Sequence, residues 1–390
     1  FGLSVGMDVS GLTIVVGANQ QDGANTSSTG DGAVTVYRYD TTAEIWYQLG
    51  NLITGEPNNG IFGWNVDIND AGNRIMATSP NANFVNVYDY NSGTNTWDKQ
   101  VSITAHSVAP YCGRISGDGN TIVFGDYTYT DNSDRGILYV YRNTSGTTWT
   151  QIGNLTGSGS YVYVGLSPSI SYDGNRVTVT ERDYNYDANG NTSADNGRAA
   201  IYDYSGSGTT WNQVGDWIYG ESNYSQERFG ATEDLSKDGS IVAFSAQGGY
   251  YVKVYQYDAT VTGSWRQLGS TINGGVDNFG TGVRLSDDGT TLLISDRNDD
   301  TAGTNNGALY IYKYIDNDWV QQGSTLYGAY AGAQIGYHLN PGTSISGDGS
   351  KIVAGGYLAD VNGTNSGYVQ AWEWSQKAPY SNPMLDISGG

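Results

Sequence analysis

The sequence predicts an all-β protein, a seven-bladed β-propeller of four-stranded antiparallel blades, on three observations. A short apolar run hinged on a turn glycine, as in "LSDDGTTLLIS" at 285–295, recurs along the chain. An alternating aromatic segment follows each copy, and a tryptophan-bearing segment follows that in all units but the last. No segment with the 3.6-residue period of a helix lies between them.

The turn glycines are Gly11, Gly72, Gly119, Gly174, Gly239, Gly289 and Gly349, spaced by 61, 47, 55, 65, 50 and 60 residues. Asp-Gly between two apolar runs is a tight-hairpin signal, because glycine accepts a positive φ that strains other residues. About ten residues before most of these glycines stands a Phe-Gly or similar pair: Phe1-Gly2, Phe62-Gly63, Val164-Gly165, Phe229-Gly230 and Phe279-Gly280. The third and seventh units depart from this, with "APYCGRIS" and "IGYHLNPGTSIS".

Four strand-like pieces follow in each unit. The first runs from the Phe-Gly to the turn ("FGTGVRLS") and the second leaves it ("TTLLIS", "LTIVVGA"). The third alternates and is aromatic, as in "VTVYRYD", "LYIYKY" and "VQAWEW". The fourth carries Trp46, Trp97, Trp149, Trp211, Trp265 or Trp319, usually with Gln two residues on and Gly two after that, as in "WRQLG". Such units bury both faces of each small sheet against neighbours in a ring. The expected blades are 1–61, 62–108, 109–163, 164–228, 229–278, 279–334 and 335–390, in a single domain. The seventh has no tryptophan piece. Its outer strand comes from "PMLDIS", from residues upstream of Phe1, or is missing; the first reading is preferred.

The stretches "FGTGVRLSDDGTTLLIS", "GALYIYKY", "WVQQG" and "VVGA" resemble the FG-GAP-like repeats of integrin-α-type propellers, in an Asp-Gly-turn variant with Trp-containing outer strands. The resemblance covers essentially the whole chain. It implies a seven-bladed propeller used in extracellular adhesion and ligand binding. The calcium sites of that family do not carry over to the turns, since "SDDG", "SKDG", "SYDG" and "SGDG" are too short to wrap an ion with six to eight oxygens.

Bulk properties restrict the function classes. Hydrophobic residues at 38% and aromatics at 13% suffice for a core, so the 56 glycines read as turns. A formal charge of −21, from 18 basic against 39 acidic residues, repels a phosphate backbone or an anionic membrane and argues against nucleic acid. Cys112 is the only cysteine, which excludes an intramolecular disulfide and a cysteine-based zinc site. No apolar run approaches the ~18 residues of a membrane helix. A chain that opens at Phe1 reads as a processed product or a piece of something longer, and an extracellular or cell-surface location is expected.

If the strands run outward from the axis, the Asp-Gly hairpins lie on one face and the long, irregular links on the other. Function concentrates on such loops. They are rich in tyrosine: Tyr127, Tyr129, Tyr161, Tyr163, Tyr184, Tyr186, Tyr219, Tyr224, Tyr327, Tyr330 and Tyr357. Tyrosine offers contact area with little entropy loss and a hydroxyl for hydrogen bonds, which suits protein or sugar recognition; the same rings also serve blade packing. Asp187, Asn189, Asn191 and Asp195 in "DANGNTSAD" offer hard oxygen ligands for calcium, as do Asp296, Asp299 and Asp300, though Asn and Asp are also ordinary turn residues. Glycosylation sequons stand at Asn25, Asn143, Asn154, Asn191, Asn223 and Asn362, about the number expected by chance.

Catalytic signatures are sparse. His106 and His338 fall in different blades, and no nucleophile elbow, phosphate loop or metalloprotease helix occurs. The expected function is therefore a non-enzymatic extracellular interaction module, binding a protein or glycan through the tyrosine-rich face. The alternatives are a structural building block that self-associates or meets neighbouring domains of a larger chain, and a glycan-active enzyme on a propeller scaffold.

Overall fold

The computed structural model describes residues 1–21, 30–56, 60–104, 109–129, 134–186, 195–221, 226–275, 278–337 and 342–374, and the backbone of 383–388. Seven small antiparallel sheets form a ring, each meandering from an inner to an outer strand. Blade 6 is representative: an inner strand Gly282–Leu285, a second Thr291–Asp296, a third Ala308–Ile315, and an outer strand in two pieces, Asp318–Gln321 and Leu326–Tyr327. Among the described residues the only helical element is a single 3-10 turn, Pro80–Ala82.

The repeated Ser-x-Asp-Gly turn closes on itself. Ser286 Oγ donates to Asp288 Oδ1 (2.7 Å), which also accepts the Thr290 N–H (2.9 Å), while Ser286 Oγ accepts the Thr291 N–H (2.9 Å). Gly289 sits at φ +67, where a Cβ would be strained. The same bonds recur at Ser171/Asp173, Ser236/Asp238 and Ser346/Asp348. The aspartates of the hairpins thus spend their oxygens on their own turns.

These turns are also tied to one another around the axis. The Val9 N–H donates to Asp70 O, Asp70 to Gly117, Asp118 to Tyr172, Tyr172 to Lys237, Lys237 to Asp287, Asp287 to Gly347 and Gly347 to Val9, at 2.8–3.4 Å. At the centre of this circle Lys237 Nζ bridges Asp70 (2.7 Å) and Asp287 (2.9 Å) and lies 4.6 Å from the Tyr172 ring.

Packing is between blades. Val15 and Val36 of blade 1 share one buried cluster with Phe62, Val66, Ile75 and Trp97 of blade 2, and the other neighbours repeat the scheme. Phe62, Phe229 and Phe279 of the Phe-Gly pairs are at most 1% exposed, each burial worth about 2–3 kcal/mol.

The tryptophan motif is a staple between outer strands. Trp97 Nε1 donates to Leu49 O (2.9 Å) of the preceding blade, Trp211 to Ile152 (3.0 Å), Trp265 to Val214 (2.9 Å) and Trp319 to Leu268 (2.8 Å). Each acceptor immediately precedes the glycine of the motif: Gly50, Gly153, Gly215 or Gly269. A Cβ at Gly50 would stand 2.8 Å from Trp97 Cδ1, so the glycine makes room for the indole. Where the preceding outer strand lacks that glycine the staple fails. Trp149 follows Val101, Trp46 follows the outer strand of blade 7, and both indole N–H groups are buried without an acceptor.

Blade 7 closes with Pro383–Ser388 paired antiparallel to Tyr368–Glu373, so "PMLDIS" supplies its outer strand. Blade 4 departs from the expected four strands. Its inner segment pairs only through a bridge between Ile170 and Val177, and the Ser169 N–H donates to the Thr178 hydroxyl (3.0 Å).

Candidate functional site

The long-loop face surrounds the mouth of the axial channel. Each link to the next blade crosses over the glycine that precedes the previous third strand, as the bridges Gly32 to Phe62, Gly136 to Val164 and Gly197 to Phe229 show. The residue just before each such landing point is forced into the left-handed region: Ile61 (φ +50), Tyr163 (+57), Arg228 (+57) and Asn278 (+74). Non-glycine residues held there store about 1–3 kcal/mol of strain, which the surrounding fold must impose.

The residue eight after each turn glycine immediately follows a second strand at this mouth: Asn19, Pro80, Tyr127, Arg182, Gln247, Arg297 and Tyr357. Contacts join them into an arc. Arg182 lies 5.5 Å from the Tyr163 ring, Tyr163 6.4 Å from Tyr127, Tyr127 4.9 Å from Tyr111, and Tyr111 6.0 Å from Trp64. On the other side Tyr357 lies 4.9 Å from Tyr337, which Arg297 covers at 5.0 Å. Burial, with neighbouring phenols, pushes Tyr127 and Tyr357 up to about 12, so both hydroxyls keep their protons and can donate.

Among the described residues, Asp183 is the carboxylate this arc holds between two guanidiniums. Its Oδ1 is 3.1 Å from Arg182 Nε and 3.6 Å from Arg228 Nε, and its side chain is 12% exposed. Burial raises its carboxyl above the usual range against the pull of both arginines. Arg228 Nε makes no hydrogen bond and remains a buried donor.

Below the mouth, axis-facing positions of the inner strands carry Asp67, Arg114, Asp234 and Arg284. Arg114 reaches Asp67 (3.7 Å) and Asp234 (3.4 Å), while Arg284, lowered to about 9 by burial, donates to the Thr343 and Val283 carbonyls. These pairs and the Lys237 bridge line a cavity of about 130 Å³ at the lower end. Glu233 lies beside this axis, fully buried and raised well above the carboxylate range by desolvation; Thr178 and Thr180 donate to its Oε1.

The sequence-predicted tyrosines fall into separate groups. Tyr127, Tyr163 and Tyr357 belong to the mouth. Tyr184, Tyr186 and Tyr219 cluster around Arg198, which Tyr184 and Trp217 sandwich at 3.5 and 3.9 Å and which pairs with buried Glu181 (2.7 Å). Tyr330 packs on Tyr368 at 5.1 Å, Tyr327 lies in a blade 6 strand, Tyr129 packs on the blade 2–3 core, and Tyr161 is 58% exposed. Tyr224 lies outside the described residues. The mouth residues that sequence reasoning passed over are Trp64, Tyr111, Arg182, Asp183, Arg228, Arg297 and Tyr337.

Of the calcium candidates, Asp187, Asn189 and Asn191 lie outside the described residues. The Asp195 carbonyl accepts the Arg228 N–H (2.8 Å) and so helps set that side chain at the mouth. Asp296, Asp299 and Asp300 each accept a backbone N–H of their own loop, from Asn298, Thr301 and Asn305. Among the described residues no group of three or more His, Cys, Asp or Glu is placed to hold a metal. Of the sequons, Asn154 and Asn362 are exposed and Asn143 donates to Gly146 O (2.7 Å), whereas Asn25, Asn191 and Asn223 lie outside the described residues, as do His106 and His338.

No known family profile and no curated protein matches the chain. The integrin-type resemblance therefore stands only as far as the seven-bladed architecture. Solved structures do match across the whole chain. A periplasmic gluconolactonase of Pseudomonas aeruginosa superposes with a TM-score of 0.64 at 13% identity, covering 96% of each chain. A candidate 6-phosphogluconolactonase of Bacteroides fragilis gives 0.64 at 12%, covering 97% of this chain and 95% of its own. Another, of Bacteroides uniformis, gives 0.61 at 13%, covering 97% and 96%. At such identity the likeness establishes the fold alone, and it is a fold carried by proteins named as lactonases. That finding overturns the expectation of a non-enzymatic adhesion or assembly module. Sparse motifs are no argument against catalysis on a propeller, where groups from separate blades can meet in space.

Proposed function

We propose that the protein hydrolyses sugar lactones at the mouth of its axial channel. The observation that carries this reading is Asp183, a largely buried carboxylate with a raised pKa, held between Arg182 and an Arg228 whose own backbone is strained. The likeness to proteins named gluconolactonase and 6-phosphogluconolactonase supports the choice of substrate class.

Lactone hydrolysis needs a base for water and donors for the oxyanion. Asp183 takes a proton from water as the water oxygen bonds to the lactone carbonyl carbon. The guanidiniums of Arg182 and Arg228 stabilise the negative oxygen of the tetrahedral intermediate. As that oxygen re-forms the carbonyl, the ring C–O bond breaks and the leaving ring oxygen recovers the proton from Asp183, giving the open hydroxy acid. The raised pKa of Asp183 brings the base nearer neutral pH, where proton transfer is more effective. The phenols of Tyr127 and Tyr163 sit beside this pair as donors for sugar hydroxyls.

The test follows glucono-δ-lactone opening by base uptake, with the spontaneous rate subtracted. The wild type accelerates opening, and Asp183→Asn lowers kcat by about 100-fold or more. A wild type no faster than buffer, or an unaffected Asp183→Asn variant, would refute the reading.

A further inference from the structure

A groove of about 710 Å³ opens from the same mouth and runs outward along blade 1 where it faces blade 7. Trp64, Tyr337 and Tyr357 belong to both spaces, while Tyr37 of the third strand and Gln48 of the outer strand line its far part. The volume lies within the range of small-molecule sites, about 300–1,000 Å³.

Its chemistry differs from that of the mouth. None of the described lining side chains is charged, in a chain with 39 acidic and 18 basic side chains. A second anionic group would find no side-chain counter-charge there. The walls instead combine aromatic rings with side-chain amides and hydroxyls, including Gln48 and Asn365. Rings accept the apolar C–H faces of a pyranose, and amides exchange hydrogen bonds with its hydroxyls. Trp64 Nε1, in the wall, is buried without an acceptor. A buried donor left unmade is costly, and a sugar hydroxyl oxygen would satisfy it.

We propose that this groove is a subsite for a neutral sugar unit, so that the substrate is a glycosylated aldonolactone, with the lactone ring at Asp183 and the attached sugar between blades 1 and 7. The inference rests on the lactonase reading for the ring it places at the mouth, but the groove is testable without turnover.

The experiment has two arms. In the first, cellobiose and maltose, which are neutral and unreactive, are titrated into the protein by calorimetry. Saturable binding of at least one is expected, weakened about fivefold or more by Trp64→Phe, which keeps the ring and removes the N–H. In the second, kcat/KM is compared for glucono-δ-lactone and the lactones of cellobionic and maltobionic acid. One disaccharide lactone is expected to be preferred at least tenfold, with Gln48→Ala eroding the preference through KM and leaving glucono-δ-lactone unchanged. Hydrolysis of all the lactones at equal efficiency without disaccharide binding overturns the subsite and leaves the lactonase reading standing. Trp64-dependent binding without hydrolysis of any lactone sustains the subsite and overturns the lactonase reading.

Discussion

Substituting Gly50 by alanine should break one inter-blade staple at a calculable cost. Gly50 has φ +78, and an added Cβ would stand 2.8 Å from Trp97 Cδ1 and 3.0 Å from Nε1. The backbone conformation costs about 1–2 kcal/mol for a residue with a Cβ. The indole must shift, stretching its 2.9 Å hydrogen bond to Leu49 O, a loss of about 1–2 kcal/mol for a buried donor. Together these give about 2–4 kcal/mol. For a chain of 390 residues that is a fall in Tm of about 2–5 °C, from an unfolding entropy near 2.1 cal/mol/K per residue. Urea unfolding followed by far-UV circular dichroism measures it, with Trp97→Phe and the double variant completing a cycle. The double variant should cost less than the sum of the singles, because both remove the same bond. Trp149→Phe is the internal control: its indole has no acceptor, so it should cost at least about 1 kcal/mol less than Trp97→Phe. Gly50→Ala within about 0.5 kcal/mol of the wild type would refute the staple.

Other outcomes follow from the charged groups. The acid limb of kcat/KM for lactone opening should lie above the ordinary carboxylate range of about 4, because Asp183 is raised and must ionise to act; a pH–rate profile checks this. Stability should fall in acid for the opposite reason. Asp173, Asp238, Asp288 and Asp348 are held below their usual value by hydrogen bonds within their turns, against a desolvation that opposes them. Their contribution is complete above the unfolded pKa of about 4 and is lost as pH drops through the lower folded values, so Ser286→Ala should narrow the gap between urea midpoints at pH 5 and pH 3. Lys237→Met should be more destabilising at pH 7.5 than at pH 4.5: Asp70, already raised by burial, loses its ammonium partner and faces Asp287 until it is protonated.

The architecture was legible because each blade repeats its own punctuation. Turn glycine, Phe-Gly and tryptophan recur in phase, and each marks a place where a Cβ would clash, a ring must be buried or an indole must reach the next sheet. Blade 4 shows the limit, since the Ser169 N–H turns to the Thr178 hydroxyl and the inner pairing shrinks to a bridge without disturbing the repeat around it. The mouth was harder to read. Counting eight residues from each turn glycine does find Arg182, Arg297, Tyr127 and Tyr357, but which side chains converge depends on seven links of unequal length. In "RDYNYD" the conspicuous tyrosines Tyr184 and Tyr186 drew attention to a loop whose chemistry lies in Arg182 and Asp183. Asp183 gains meaning only from Arg228, which lies far along the chain in the link to the next blade.

The circle of backbone bonds through Val9, Asp70, Gly117, Tyr172, Lys237, Asp287 and Gly347 has no seam: the step from Gly347 to Val9 (2.9 Å) matches the others. It behaves as a hoop on a barrel, distributing an opening force among all seven staves. A circularly permuted chain, cut in any long-face link and joined across blades 7 and 1, would keep every rung of that hoop. Its amides should be among the last to exchange with solvent, and radial breathing of the ring should be confined to the opposite rim, where the mouth lies.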